Sequence, residues 1–340
     1  MPRYRVLTIE GQRLFEMRYD DLRVGEQRQP VVSLMPYHDS LDDALAAVQR
    51  YSDARLDPLR RQMSGTSADP DATYRDKLAN PTIFYRGQSS LSYSIVPTRF
   101  RLTHATDPTA EVRRRVEVEA ERAGAIRRHF ADSGGAALSE LQSRAVARHF
   151  GAPSTLVDFT FDAMVAAAFS HPRFNEQESR EGAPFGVLYA LDMGQLQDMF
   201  GMMAWAIGPD GGREIHLVNT REQWGLPFLT YDGTTGRLVE RTLAVEVPAV
   251  LREQHARLRT CIVPDVSRIE AQQGLFLELS LDDRADWRTP LYFWTLLDFL
   301  ARKWCFRRSD AEFEVRNADG SRRDLFHEDD ATLETLASHS

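Results

Sequence analysis

Thr82-Ile83-Phe84-Tyr85-Arg86-Gly87-Gln88 is a β-branched and aromatic run that closes on a glycine. It reads as a short strand that delivers an arginine at its end. Working outward, Pro97 and Arg101 follow, then His149-Phe150-Gly151-x-Pro153 running into Leu156-Val157-Asp158-Phe159-Thr160. An alanine-rich stretch from Ala163 to Ser170 comes next, and much later Arg268-x-x-Ala271-Gln272-Gln273-Gly274-Leu275-Phe276. Chain order thus sets an arginine, an aspartate and a glutamine pair among glycines and aromatics, which reads as one assembled polar site.

The elements around that run predict an α+β fold with a mixed or antiparallel central sheet and packed helices, because strands and helices do not alternate regularly enough for a doubly wound sheet. Ala137 to Phe150 is a helix with Leu138, Leu141, Val146 and Phe150 on one face, stopped by Gly151 and Pro153. Ser154 to Phe159 is a strand, and Asp162 caps the alanine-rich helix, whose small side chains let its backbone pack closely on a sheet. Gly186–Leu191, Leu243–Val247, Cys261–Val263 and Leu275–Leu281 are further strands. Residues 195–240 read as irregular, Leu291–Phe306 as one buried helix, and the acidic tail as frayed. Residues 1–73 form an N-terminal extension with small strands (Arg3–Ile9, Val31–Met35) and a helix opened by Ser40. The linker-like Ser64–Thr73 separates it from a second domain at 74–340.

At 340 residues the chain is long enough to bury a full core, and a mean hydropathy of −0.42 is ordinary for a soluble protein. A net charge of −8 offers no excess positive field for bulk nucleic acid. The arginines between Glu111 and Phe130 alternate with glutamates three or four residues apart, as a solvated helix face does. Two cysteines, Cys261 and Cys305, make no disulfide framework and have no metal-ligand spacing. With no signal-like or membrane-length apolar run, a cytoplasmic protein without membrane attachment or metal is expected.

Arg86 suits a phosphorylated ligand, since guanidinium matches phosphate and carboxylate through two parallel hydrogen bonds. The same residue pairs equally well with Asp158 for purely structural reasons. His149, in a last helical turn, either satisfies free carbonyls there or hydrogen-bonds a ligand hydroxyl. Gln272 and Gln273 act as neither acid nor base, but each offers paired donor and acceptor contacts. Adjacent strand positions would put only one of the two on a given face. Gly-rich phosphate loops, a Gly-x-Ser-x-Gly elbow and His-Glu-x-x-His are all missing from the sequence.

Phe84-Tyr85-Arg86-Gly87-Gln88, Pro97 to Arg101, His149-Phe150-Gly151, Asp158 through Phe169, Ala271 to Phe276 and a weaker Leu325-Phe326 together resemble the FRG family, a bacterial domain named for its Phe/Tyr-Arg-Gly signature. The resemblance covers about residues 80–335. Thr155 replaces the family's usual arginine, Phe159 its tryptophan and Ala163 its proline. The motif order is also similar, more distantly, to ADP-ribosyltransferases of the Arg-Ser-Glu type. That likeness implies an ADP-ribosyltransferase-like core with NAD as substrate, in a toxin or anti-phage effector. It would give Arg86, Asp158 and Gln272 catalytic roles. Tyr85, Gly87, Gln88, Arg101, His149, Thr160 and Gln273 would bind the substrate, with Gly87 letting the ligand approach the backbone. Glutamine stands near the position of the expected catalytic glutamate, leaving Glu270 or Asp158 to supply the charge. Without either, the same cleft would be a nucleotide- or partner-binding module, with a macromolecular target or regulatory partner.

Overall fold

Alternating runs at the N-terminus pair locally before the first helix. β1 (Arg5–Ile9) and β2 (Gln12–Val24) turn through Glu10 and Gly11, both at positive φ, and β2 returns antiparallel to β3 (Gln29–His38). The Ser40 hydroxyl accepts from the Asp43 backbone N–H at 3.1 Å and opens α1 (Leu41–Met63). The computed structural model describes residues 5–24, 29–63, 83–89, 95–102, 105–134, 137–171, 185–193, 196, 202–207, 213–218, 222–247, 256–263, 266–280, 287–309, 313–317, 319–325 and 331–338. The linker-like stretch 64–73 lies outside the described residues.

β4 (Ile83–Gln88) is followed by a 3-10 turn at Thr98–Phe100, α2 (Pro108–Asp132), α3 (Glu140–His149), β5 (Leu156–Thr160) and α4 (Ala163–Phe169). Next come β6 (Phe185–Asp192), β7 (Met202–Ile207), β8 (Arg213–Val218), β9 (Gln223–Tyr231), β10 (Leu238–Glu246) and β11 (Ala256–Cys261). α5 (Ser267–Ala271), β12 (Gly274–Ser280), α6 (Arg288–Leu300), β13 (Arg302–Arg307) and α7 (Ala331–Ser338) complete the chain. Local chemistry explains the helix starts. Asp107 accepts from Thr109 and Ala110 at α2, Ser139 and Gln142 form a reciprocal capping box at α3, and Asp162 accepts from Met164 at α4.

The fold is α+β, built on a mixed sheet of eleven strands in the order β1-β2-β3-β13-β6-β4-β5-β12-β11-β8-β7. Every pairing is antiparallel except β3 with β13, where Tyr37 faces Cys305 and His38 faces Phe306. β9 and β10 form a separate ribbon.

Three expectations need correction. The stretch read as irregular, 195–240, contains β7, β8 and β9. The supposed helix Leu291–Phe306 ends at Leu300, because Ala301 turns extended at ψ 132° and the chain re-enters the sheet as β13. There Trp304 and Phe306 point to one face, while Lys303 and Cys305 point to the other with Tyr19 and Tyr189. The tail is no frayed end either: Leu333 and Ala337 of α7 are buried in the cluster shared with α3.

The largest core cluster joins Phe15, Tyr19 and Met35 of the N-terminal strands to Phe84, Phe159, Leu275 and Trp294. On the opposite face of β4, Ala44 and Val48 of α1 pack with Ile83, Tyr85, Ala166 and Trp304. The extension and the remainder of the chain therefore share one sheet and one core.

Candidate functional site

β4 is paired along its whole length with β6, and β5 along its whole length with β12. Between β4 and β5 the only paired position is Tyr85 with Thr160. Past it the two strands part, and a cleft of about 290 Å³ opens in the fork. Arg86, Asp158 and Gln272 all line this cleft, together with Tyr85, Gly87, Gln88, Arg101, His149 and Thr160. Gln273 is not among the lining residues.

Arg86 bridges the fork. Its Nη1 donates to the Asp158 main-chain carbonyl at 2.6 Å and to Oδ2 of the same residue at 2.8 Å. A second cation, Arg148 from the last turn of α3, holds Oδ1 at 2.9 Å and donates to Oδ2 at 3.3 Å. Burial alone would raise the Asp158 pKa, but Arg148 and then Arg86 outweigh it and hold the carboxyl well below the usual carboxylate range. About 35% of the Asp158 side chain remains open, against 12% for Arg86. The carboxylate is therefore ionised at any cellular pH and only partly buried. Arg148 was not singled out by the sequence; its spacing of four from Arg144 on a short helix is the only signal.

His149 is pushed down to about 3, first by burial and then by Arg268 and Arg148, with Asp158 opposing. The imidazole is neutral, and its Nε2 is buried without a hydrogen-bond partner. Its ring meets Phe150 and Phe276 edge-on, so aromatic packing fixes its orientation. Arg101 follows the 3-10 turn and donates through Nε to the Val96 carbonyl at 2.9 Å. Arg268 of α5 also lines the cleft and stacks on Phe150 at 5.4 Å. Three arginines and one carboxylate face the same space, a local positive excess on an acidic protein.

Several expected ligand contacts are already spoken for. Gln272 and Gln273 are not strand residues: Gln272 caps α5 and Gln273 turns through φ 46° before β12 begins. That turn, not strand alternation, separates the two side chains. The Gln272 side-chain amide donates to the Leu325 carbonyl at 2.7 Å, and the Gln272 main-chain carbonyl accepts from the Thr160 hydroxyl at 2.8 Å. Thr160 also accepts from the Asp162 N–H at 3.0 Å, which fixes the turn into α4. The Tyr85 hydroxyl shares a buried 2.6 Å hydrogen bond with Ser52 of α1. Gly87 has a packing role as well as lining the cleft: a Cβ there would stand 1.7 Å from the Ala166 carbonyl oxygen. Glu270 is exposed on α5 and does not line the cleft.

Residues 81–179 match the FRG domain family. The chain carries an FRG domain. No curated protein and no solved structure matches the chain. The matched stretch is shorter than the resemblance drawn from motifs. It runs from the start of β4 past the end of α4, and so takes in Arg86, Arg101, Arg148, His149, Asp158 and Thr160. Gln272 and Arg268 come to the cleft from beyond it.

Beside the cleft lies a charged cluster that the sequence concealed, joining the FRG domain to Glu278 of β12. Glu119 of α2 is 1% exposed and takes contacts from Arg99, Arg144 and Ser154, while Arg144 reaches Glu278 at 2.5 Å and Thr155. Arg115 of the same helix donates to the carbonyls of Thr98 and Arg101. The helix that reads as a solvated face does carry such pairs, Glu111 with Arg114 and Arg115. Its other charges hold the turn that presents Arg101. Among the described residues no group of three His, Cys, Asp or Glu is placed to hold a metal ion, and no helix is long and apolar enough to cross a membrane.

Proposed function

We propose that the cleft binds a nucleotide, that NAD is its substrate, and that the protein acts on the nicotinamide–ribose bond in the manner of an NAD glycohydrolase or ADP-ribosyltransferase. The observation that carries this reading is Asp158: an ionised, partly open carboxylate among three arginines in one fork. Arginines suit the pyrophosphate, and Phe159, Phe169 and Phe276 offer apolar walls to a ring. When the C1′–N bond breaks, the electron pair leaves with nicotinamide and positive charge develops on the ribose. A nearby carboxylate stabilises that charge. Water or an acceptor side chain of a target then takes the ribosyl cation and releases a proton. Asp158 acts here as an electrostatic stabiliser, since a carboxyl held so acidic is a poor base. The cleft volume is at the low end for ligand pockets, so one half of a dinucleotide enters and the other projects.

Motif order and the split between β4 and β5 support an ADP-ribosyltransferase-like core. The FRG domain supports a bacterial cytoplasmic role as a toxin or anti-phage effector acting on a macromolecular target. The competing reading is a non-catalytic nucleotide- or partner-binding module. The engaged Gln272 amide and the outward Glu270 favour it, because neither supplies a second charge. NAD turnover by the purified protein, with and without cell lysate, separates the two. Release of nicotinamide that is lost in Asp158→Asn supports the enzyme. Nucleotide binding without turnover under both conditions supports the module.

A further inference from the structure

We propose that the Asp158 carboxylate stands in the anion position of the cleft, and that Arg148 is the positioning residue that retains it when a ligand phosphate takes its place on Arg86. This rests on the cleft being a nucleotide site. The carboxylate lies between guanidiniums from different elements: Oδ2 is 2.8 Å from Arg86 of β4 and 3.3 Å from Arg148 of α3, and Oδ1 is 2.9 Å from Arg148. Guanidinium binds carboxylate and phosphate through the same donor fork, so the side chain of Asp158 imitates a ligand anion at Arg86.

Three features make the exchange feasible. Arg86 keeps a second contact, the Asp158 main-chain carbonyl, and so stays in the fork when the carboxylate leaves. Asp158 is the most open member of the trio, at 35% against 12% and 13% for the arginines, so a ligand arrives on its free side. Arg148 does not line the cleft and is carried on a fixed helix face. Arg144, one turn earlier, is tied to Glu119, Glu278 and Thr155. A carboxylate drawn fully onto Arg148 keeps its charge and stays at the edge of the site.

Inorganic pyrophosphate, titrated calorimetrically into the full chain, tests this without any turnover. Asp158→Asn should bind it more tightly, by about tenfold, since the competing charge is gone. Arg148→Gln should bind it more weakly by about as much, because Asp158 then rests wholly on Arg86. In the Asp158→Asn background, Arg148→Gln should change little, which marks Arg148 as acting through Asp158. Equal weakening in both backgrounds would make Arg148 a plain source of positive field and overturn the proposal. So would the absence of tightening in Asp158→Asn, or of pyrophosphate binding in every variant. If Arg148→Gln does not fold, Arg148→Lys serves: its single ammonium cannot hold both oxygens, and it should weaken binding only where Asp158 is present. Failure of NAD cleavage leaves this ordering intact, so the two readings fail separately.

Discussion

Gly87 on β4 lies directly beneath the backbone of Ala166 on α4, so closely that the strand position has no room for a side chain. The glycine of the Tyr-Arg-Gly run is thus a packing device that brings α4 against the strand carrying Arg86. Gly87→Ala should cost about 3 kcal/mol or more, at or beyond the upper end for overpacking, because the obstacle is helix backbone. Urea unfolding of the variant measures it. A loss under 1 kcal/mol would mean that α4 moves freely off the sheet.

Arg86→Ala and Asp158→Ala should differ in stability. Without Arg86, Arg148 still neutralises Asp158, and the loss should be about 1–3 kcal/mol, the scale of a charged hydrogen bond. Without Asp158, two guanidiniums lose their shared partner, and the loss should approach the 3–5 kcal/mol of a broken buried pair, tempered by exposure. Thermal melts of both variants check the order, and both should lose NAD turnover.

His149 predicts an acid-side weakness. The folded protein keeps it neutral down to about pH 3, whereas the unfolded chain takes up a proton below about 6.5. Its contribution is therefore complete above pH 6.5 and is lost as pH falls from 6.5 toward 3, by at most about 1.4 kcal/mol per pH unit. Asp158, depressed below its ordinary value of 3.8, contributes above that value and is lost as pH falls further. Urea midpoints should hold steady above pH 7 and decline between pH 6 and 4.5, with a shallower decline in His149→Gln. An unchanged slope would assign the effect to His38, whose pKa burial also lowers.

Removal of residues 1–73 should unfold the remainder. It strips the β3 partner from β13, uncovers Phe84 and Trp304, and removes the Ser52 partner of Tyr85. Soluble expression and circular dichroism of residues 74–340 decide the matter; a cooperative melt there would show that the extension is dispensable. Ser52→Ala in the full chain should cost about 1 kcal/mol, or more if the Tyr85 hydroxyl is left unsatisfied.

Much of the site was legible because short-range chemistry places it. The run at Ile83–Gln88, the caps at Ser139 and Asp162, and the glycine after His149 each mark an element end, and those ends converge on the fork. What escaped depends on distant partners. Helical periodicity cannot tell that Glu119 is buried against Arg99 and Arg144 while Glu111 pairs with Arg114 and Arg115 of its own helix. Gln273 adopts positive φ without being glycine, so the Gln272–Gln273 pair passes for strand. The β13 run Arg302–Arg307 follows α6 after a single extended residue, and its apolar content continues that of the helix. Only the β3 and β6 neighbours make it a strand.

The parallel contact between β3 and β13 places an early strand beside one made much later. Until β13 has been synthesised, β3 has no partner on that side and β6 lacks one neighbour. Non-local pairing of this kind is slow and leaves strand edges open during synthesis. Truncated or stalled nascent chains would therefore lack a finished sheet behind Arg86. Chains that stop short of β13 would thus carry the Arg86 fork on a sheet whose β3 and β6 edges stand open.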